Sequence, residues 1–130
     1  MTRKPTLPTE AELRILRAIW EHGPGTVREV HEHLEGDPVG YTTVLKLLQV
    51  MHEKGLVTRR AAGPHTRAHV YAAALDRDVA ERGLLEELAG QAFDGSVGRL
   101  VVQALSSTEV TREEIERIRQ LLDGMEGRGS

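Results

Sequence analysis

The chain has 130 residues, 39% hydrophobic and 28% charged, with a net charge of −3, which suits one soluble globular domain or a small domain with an appendage. It has no cysteine, which excludes disulfides and thiolate metal sites, and no run near the ~18 apolar residues of a membrane span; the start MTRKPTLPTEAE lacks the apolar stretch of a secretory signal, so a cytoplasmic protein without membrane insertion is expected. Charge is uneven: residues 1–75 hold ten Lys/Arg against eight Asp/Glu, residues 76–130 seven against twelve, a balance that suits an anionic partner for the first part and equally ordinary surface variation.

Thr9 stands three residues before Glu12, the spacing of a capping box, in which hydroxyl and carboxylate each accept from an unpaired backbone N–H. Leu13, Leu16 and Trp20 follow at helical spacing beside Ile15 and Ile19, predicting an amphipathic helix that ends near HGPG. Thr26 and Glu29 repeat the box, Val27, Val30 and Leu34 form the next stripe, and EGDP closes it. A third helix is predicted from about Tyr41, where Val44, Leu47, Leu48 and Met51 mark a core face and Gly55 a left-handed stop. The period then changes. LVTRR and AHVYAA flank AAGPHT, and the Gly63–Pro64 turn signal makes this a hairpin. From Asp76 the pattern is helical again: Val79, Leu84, Leu85, Leu88 and Ala92 run to Phe93, and FDGS breaks it. VGRLVVQAL reads as a short apolar helix ended by SST, and Thr111 with Glu114 opens a last helix carrying Ile115, Ile118, Leu121 and Leu122. GMEGRGS is expected to be a frayed tail.

Three helices and a two-stranded hairpin, with Gly36 and Gly40 in the turn between helices two and three, are the layout of a winged helix-turn-helix. The expected architecture is mainly α: a winged-helix DNA-binding domain (three helices plus a β-hairpin wing) over residues 1–75, then a C-terminal helical dimerisation region over 76–130. The later helices have apolar faces but too few residues for a separate core, so they are expected to bury against a second copy of the chain. Phe93, Leu100, Val101, Leu105, Ile115, Ile118, Leu121 and Leu122 are the candidate dimerisation residues.

On a helical wheel the third helix turns Thr42, Lys46, Gln49 and Glu53 away from the core, with Thr43 and Val50 flanking. In a helix-turn-helix that outer face enters the major groove, N-terminal residues first. Threonine bonds a base edge or a phosphate, Lys46 reaches guanine O6/N7 or a phosphate, and Gln49 pairs with adenine N6/N7. The amides near Tyr41–Thr43 suit a phosphate. Any surface helix carries polar residues outward, so the face alone does not decide. The place of the helix in the motif favours DNA, and so does a wing that holds Arg59, Arg60, His65, Arg67 and His69 with no acid from Val57 to Leu75. The expected DNA-binding set is Arg28, Tyr41, Thr42, Thr43, Lys46, Gln49, Arg59, His65 and Arg67.

The segments LPTEAELRILRAIWEHGPGTVREVHEHL, YTTVLKLLQVMHEKGLVTRR, RAHVYAA and LVVQALSSTEVTREEIERIRQLL occur in the order and spacing of the BlaI/MecI family of winged-helix repressors, which the chain resembles over nearly its whole length. The resemblance implies a homodimeric transcriptional repressor on an inverted-repeat operator, with Thr42, Thr43 and Lys46 in the major groove and a wing near His65 and Arg67 on the backbone. It implies control of β-lactamase-type resistance genes, a membrane sensor metalloprotease as partner, and release by cleavage in the C-terminal region or by another signal. Relatives are cut at an Asn–Phe bond; Gln103–Ala104 aligns there and is the candidate cleavage bond. Many members have Arg where this chain has Val50, and the copper-sensing branch has cysteines that this chain lacks.

No enzyme is expected. His31 and His33 of HEH lie about 200° apart on a helix, unlike the i, i+4 pair of HExxH, and a loose His65/His69 site lacks a third ligand. Neither GxSxG nor a Walker loop occurs, and Glu113/Arg117 is ordinary helix-surface pairing. No cofactor is implied. The competing expectation is a winged-helix module that holds another protein, since fold alone does not fix function.

Overall fold

The computed structural model describes residues 7–34, 39–107 and 109–129. The elements are α1 (Glu10–His22), α2 (Val27–His33), α3 (Tyr41–Lys54), β1 (Val57–Ala61), β2 (His69–Ala73), α4 (Arg77–Ala92), α5 (Val97–Ser107) and α6 (Arg112–Gly129). EGDP at 35–38, with Gly36 of the expected turn, lies outside the described residues. The chain divides into two compact units, Met1–Leu85 and Glu86–Ser130.

In the first unit, the two capping boxes form as their spacing requires. Thr9 Oγ1 accepts from the Glu12 N–H at 3.3 Å, and Glu12 Oε1 accepts from the Thr9 N–H at 2.9 Å. Thr26 and Glu29 do the same at the start of α2. Ile15, Leu16 and Ile19 of α1, Val27 and Val30 of α2, and Val44, Leu48 and Met51 of α3 close on one another with Leu56, Val57 and Tyr71. This aliphatic cluster contains one aromatic ring, Tyr71, which is fully buried. Trp20 packs at its margin, where its indole N–H donates to the Leu75 carbonyl at 3.2 Å.

α3 stops at Gly55, whose φ of +81° is a conformation that side chains with a Cβ rarely adopt. The Leu56 N–H then returns to the Met51 carbonyl at 2.9 Å, which turns the chain directly into β1. β1 and β2 pair antiparallel, Val57 opposite Ala73 through Ala61 opposite His69. The helix-ending segment HGPG does more than stop α1. Gly25 pairs with Tyr71 by two backbone bonds, 3.0 and 2.8 Å, so the α1–α2 connection forms a one-residue third strand that holds the hairpin to the helices. A Cβ at residue 25 would stand 3.2 Å from the Glu29 Cβ, a tight fit that favours glycine.

In the second unit, Thr111 and Glu114 form the third capping box and start α6. Two expectations are corrected. Residues 124–129 of GMEGRGS are not frayed, since α6 runs on to Gly129, and Ser130 lies outside the described residues. Once nucleated, a helix adds one bond per residue, and glycine weakens it without deleting the N–H as proline would. Ser106 and Ser107, expected to break α5, belong to it, because their hydroxyls bond back to the Val102 and Gln103 carbonyls at 2.7 and 2.6 Å.

Glu12 has a second partner. Lys54 Nζ donates to both carboxylate oxygens at 2.9 Å, joining the start of α1 to the end of α3. The carboxylate is 2% exposed, whereas Lys54 keeps 31% of its side chain in water. Burial pushes the Glu12 carboxyl up, but the Thr9 N–H and the Lys54 ammonium outweigh it and hold it below its ordinary value. Losing one partner of a fully buried pair costs ~3–5 kcal/mol; with Lys54 partly solvated, Glu12→Gln is expected to cost about 2 kcal/mol. Its folded value is below its unfolded one, so the contribution is complete above the unfolded value and drains away as pH falls through the folded one. The wild-type advantage over Glu12→Gln in urea unfolding is expected to be constant from about pH 7 to 5 and to shrink below about pH 4. An advantage that grows on acidification would contradict this.

Candidate nucleic-acid interface

α3 presents two unlike sides. Val44, Leu48 and Met51 are 0% exposed, while Tyr41, Thr42, Thr43, Lys46, Gln49 and Glu53 are all exposed. Leu47, expected on the core face, is half-buried, as are Leu45 and Val50. Gly40 occupies the N-cap and no side chain caps the helix, so its first turn is free of the carboxylate that begins α1, α2 and α6.

Beside this face lies an open groove of about 500 Å³ between the first turn of α2, α3 and the hairpin. Arg28, Tyr41, Gln49, Arg59, Arg67 and His69 line it, over a floor that includes Leu45 and Tyr71. Five of the nine expected residues therefore come together: Arg28, Tyr41, Gln49, Arg59 and Arg67. Thr42, Thr43 and Lys46 are exposed on α3 without lining the groove, and His65 is exposed in the loop joining β1 to β2. That loop is shaped by the Ala62 N–H bonding the Ala68 carbonyl at 2.9 Å and the Ala68 N–H bonding Thr66 Oγ1 at 3.1 Å.

His69 was not in the expected set, although strand alternation points to it. His69 and Tyr71 are two apart on β2, and Arg59 is the cross-strand partner of Tyr71, so all three share one face of the hairpin. The His69 and Tyr71 rings meet edge-on at 6.4 Å. Leu45, also unforeseen, is the apolar residue of α3 that the groove leaves half-covered.

The charges here are mostly unspent. Among the described residues Lys46, Arg59, Arg60 and Arg67 have no ion pair, and Arg28 has only a 3.9 Å approach to Glu32 with both side chains in water. The nearby Glu29 is engaged: the Thr26 N–H holds its carboxyl below the usual carboxylate range. Cations spread over a concave wall without internal partners suit a polyanion, and the hydroxyls and amide of α3 add hydrogen-bonding groups at its edge.

The histidines of HEH part company. His31 Nε2 lies 2.8 Å from the Val39 carbonyl, whereas His33 stacks on His22 with ring centroids 3.9 Å apart. Among the described residues no three of His, Asp and Glu gather as metal ligands. On α5 the Gln103 and Ala104 side chains are exposed. Val101, Leu105, Ile115, Leu121 and Leu122 are exposed apolar residues of α5 and α6, and Val97, Val102 and Met125 extend that set. Phe93, Leu100 and Ile118 are half-buried.

Residues 8–124 match the family model described as penicillinase repressor. No curated protein matches the chain. Among solved structures, the solution structure of the Bacillus licheniformis BlaI monomeric form in complex with the blaP half-operator is similar at 25% identity and a TM-score of 0.47, covering 60% of this chain and 92% of that one. YusO of Bacillus subtilis is similar at 22% identity and 0.51, covering 92% and 74%, a likeness of fold. The transcriptional regulator Tm0710 of Thermotoga maritima is similar at 21% identity and 0.47, with the same coverage.

Proposed function

The chain belongs to the penicillinase repressor family, which comprises DNA-binding transcriptional repressors and not an enzyme class, and from that premise we propose that it acts as a cytoplasmic homodimer on an inverted-repeat operator. The observation that carries this reading is the groove between α3 and the hairpin, where Arg59 and Arg67 have no ion pair among the described residues, next to an exposed polar helix face. In the proposed complex α3 enters the major groove, where Thr42, Thr43, Lys46 and Gln49 meet base edges. Arg28, Tyr41, Arg59, His65 and Arg67 hold the flanking phosphates, fixing register without reading sequence. Residues 1–75 thus serve as the DNA-binding domain.

Residues 76–130 serve as the dimerisation region. One winged helix reads too few bases for specificity, and two joined copies on half-sites about one helical turn apart multiply the contacts. Phe93, Leu100, Val101, Leu105, Ile115, Ile118, Leu121 and Leu122 supply the apolar surface that a second copy covers. Breaking the link removes an avidity gain on the order of 10²–10⁴ without altering α3. We place the switch at Gln103–Ala104, cut in response to a membrane sensor metalloprotease that governs β-lactamase-type resistance genes. The bond lies within helical α5, so a protease must first unwind a turn there.

Lys46→Ala is expected to weaken binding to the selected operator by ~1–3 kcal/mol and to relax sequence preference at one position, while Arg67→Ala weakens all duplexes alike and lowers the salt slope by about one. Fluorescence anisotropy across a salt series checks both; equal affinity of Lys46→Ala and wild type removes Lys46 from the base-reading set. Leu121→Asp is expected to give a monomer in analytical ultracentrifugation with operator affinity lower by a factor on the order of 10²–10⁴. An intact dimer sinks Leu121 as an interface residue. Coexpression with the sensor under induction is expected to yield fragments 1–103 and 104–130 by mass spectrometry. A freed operator with the chain uncut points to another signal.

A further inference from the structure

α3 is the helix whose placement matters most for the proposed reading of DNA, and its own start does little to fix it. Its N-cap is Gly40, without a side-chain bond, whereas α1, α2 and α6 each begin with a Thr–Glu box. What holds the start of α3 comes from the preceding helix. His31, in the last turn of α2, is half-buried, and its Nε2 stands 2.8 Å from the Val39 carbonyl, two residues before α3 begins. A carbonyl only accepts, so Nε2 carries the hydrogen and donates it. The same ring meets the edge of Tyr41, the first residue of α3, with centroids 6.2 Å apart and planes at 79°. Tyr41 is 49% exposed and lines the groove beside Arg28 and Gln49. One imidazole therefore touches the chain on both sides of the uncapped glycine.

We propose that His31 is a positioning residue for the reading helix, fixing the start of α3 through the Val39 carbonyl and its ring contact with Tyr41. It does not touch DNA. It acts through the two residues it holds, so its loss shifts the base-reading side chains relative to the phosphate contacts. Binding that depends on register suffers, and binding that depends only on charge does not. The inference rests on the repressor reading above.

The test uses the full chain and duplex DNA that the wild type selects from a random pool, with an unselected duplex of equal length as the comparison. His31→Gln keeps a nitrogen donor at the same distance along the side chain and removes the ring. His31→Phe keeps a ring against Tyr41 and removes the donor. Each variant's far-UV circular dichroism and urea midpoint are measured alongside. His31→Ala is expected to raise Kd for the selected duplex about tenfold, the scale of one mismatched base pair, with less than about a twofold change for the unselected duplex. His31→Gln is expected to recover most of that loss, and His31→Phe only a minor part. A lowered urea midpoint with unchanged preference for the selected duplex overturns the proposal, as does an equal loss on both duplexes or a better rescue by Phe than by Gln. If the wild type enriches no sequence at all, the repressor reading itself fails, an outcome distinct from these.

Discussion

Glu12 is buried and charged, and both of its oxygens are engaged: one takes the Thr9 N–H and Lys54, the other takes Lys54 again. A helix that must show one side to the core and the other to a partner has to be fixed in its roll and its slide. The apolar contacts of Val44, Leu48 and Met51 set which side faces in, but aliphatic packing tolerates small shifts along the axis. A two-pronged ion pair at the last turn of α3 is directional and does not. It anchors the C-terminal end of α3 to the N-terminal end of α1, the same turn that the capping box has already ordered.

The hairpin is placed by a comparable device. Two backbone hydrogen bonds between Gly25 and Tyr71 join it to the α1–α2 connection, and the buried ring of Tyr71 locks it into the core. The groove is a consequence of these two constraints. Arg28 follows Gly25 by three residues, Arg59 lies opposite Tyr71, and Gln49 stands on the helix that Lys54 terminates. Arg28 and Arg59 are each carried near a fixed point of the backbone, so this part of the concave charge pattern is set largely before any ligand arrives, which lowers the ordering cost of binding.

What was legible in the chain of letters was local. The capping boxes at Thr9, Thr26 and Thr111 follow from a spacing of three, and the core face of α3 follows from the helical period. Gly55 marks its own stop, and the loss of acids after Val57 marks the hairpin's charge. What was illegible depends on partners far away in sequence or on competition between close alternatives. Nothing near Glu12 announces Lys54, 42 residues on. Gly25 looks like a helix end until Tyr71 reaches it. Ser106 and Ser107 are breakers by composition, yet in α5 their hydroxyls return to helix carbonyls. The glycines after Asp123 lower helix propensity without outweighing the continuation of α6. His69 is within reach of strand alternation, two residues from Tyr71 on β2, but its place in the groove depends on the hairpin's packing against α3.

The missing box at α3 is the more telling departure. Counting from Gly40 at the N-cap, the position where α1, α2 and α6 carry glutamate is occupied by Thr43. A box there would satisfy two amides and add about 1 kcal/mol of helix stability. It would also set a carboxylate on the exposed first turn, beside the groove cations, where it would repel a phosphate in the proposed complex. Threonine keeps that turn neutral and leaves the positive end of the helix dipole facing outward. The cost in local stability is met from outside the helix, by His31 at one end and the Glu12–Lys54 pair at the other. α1, α2 and α6 carry the box and α3 does not, and at α3 the turn left neutral is part of the exposed polar side that the proposed reading turns toward DNA.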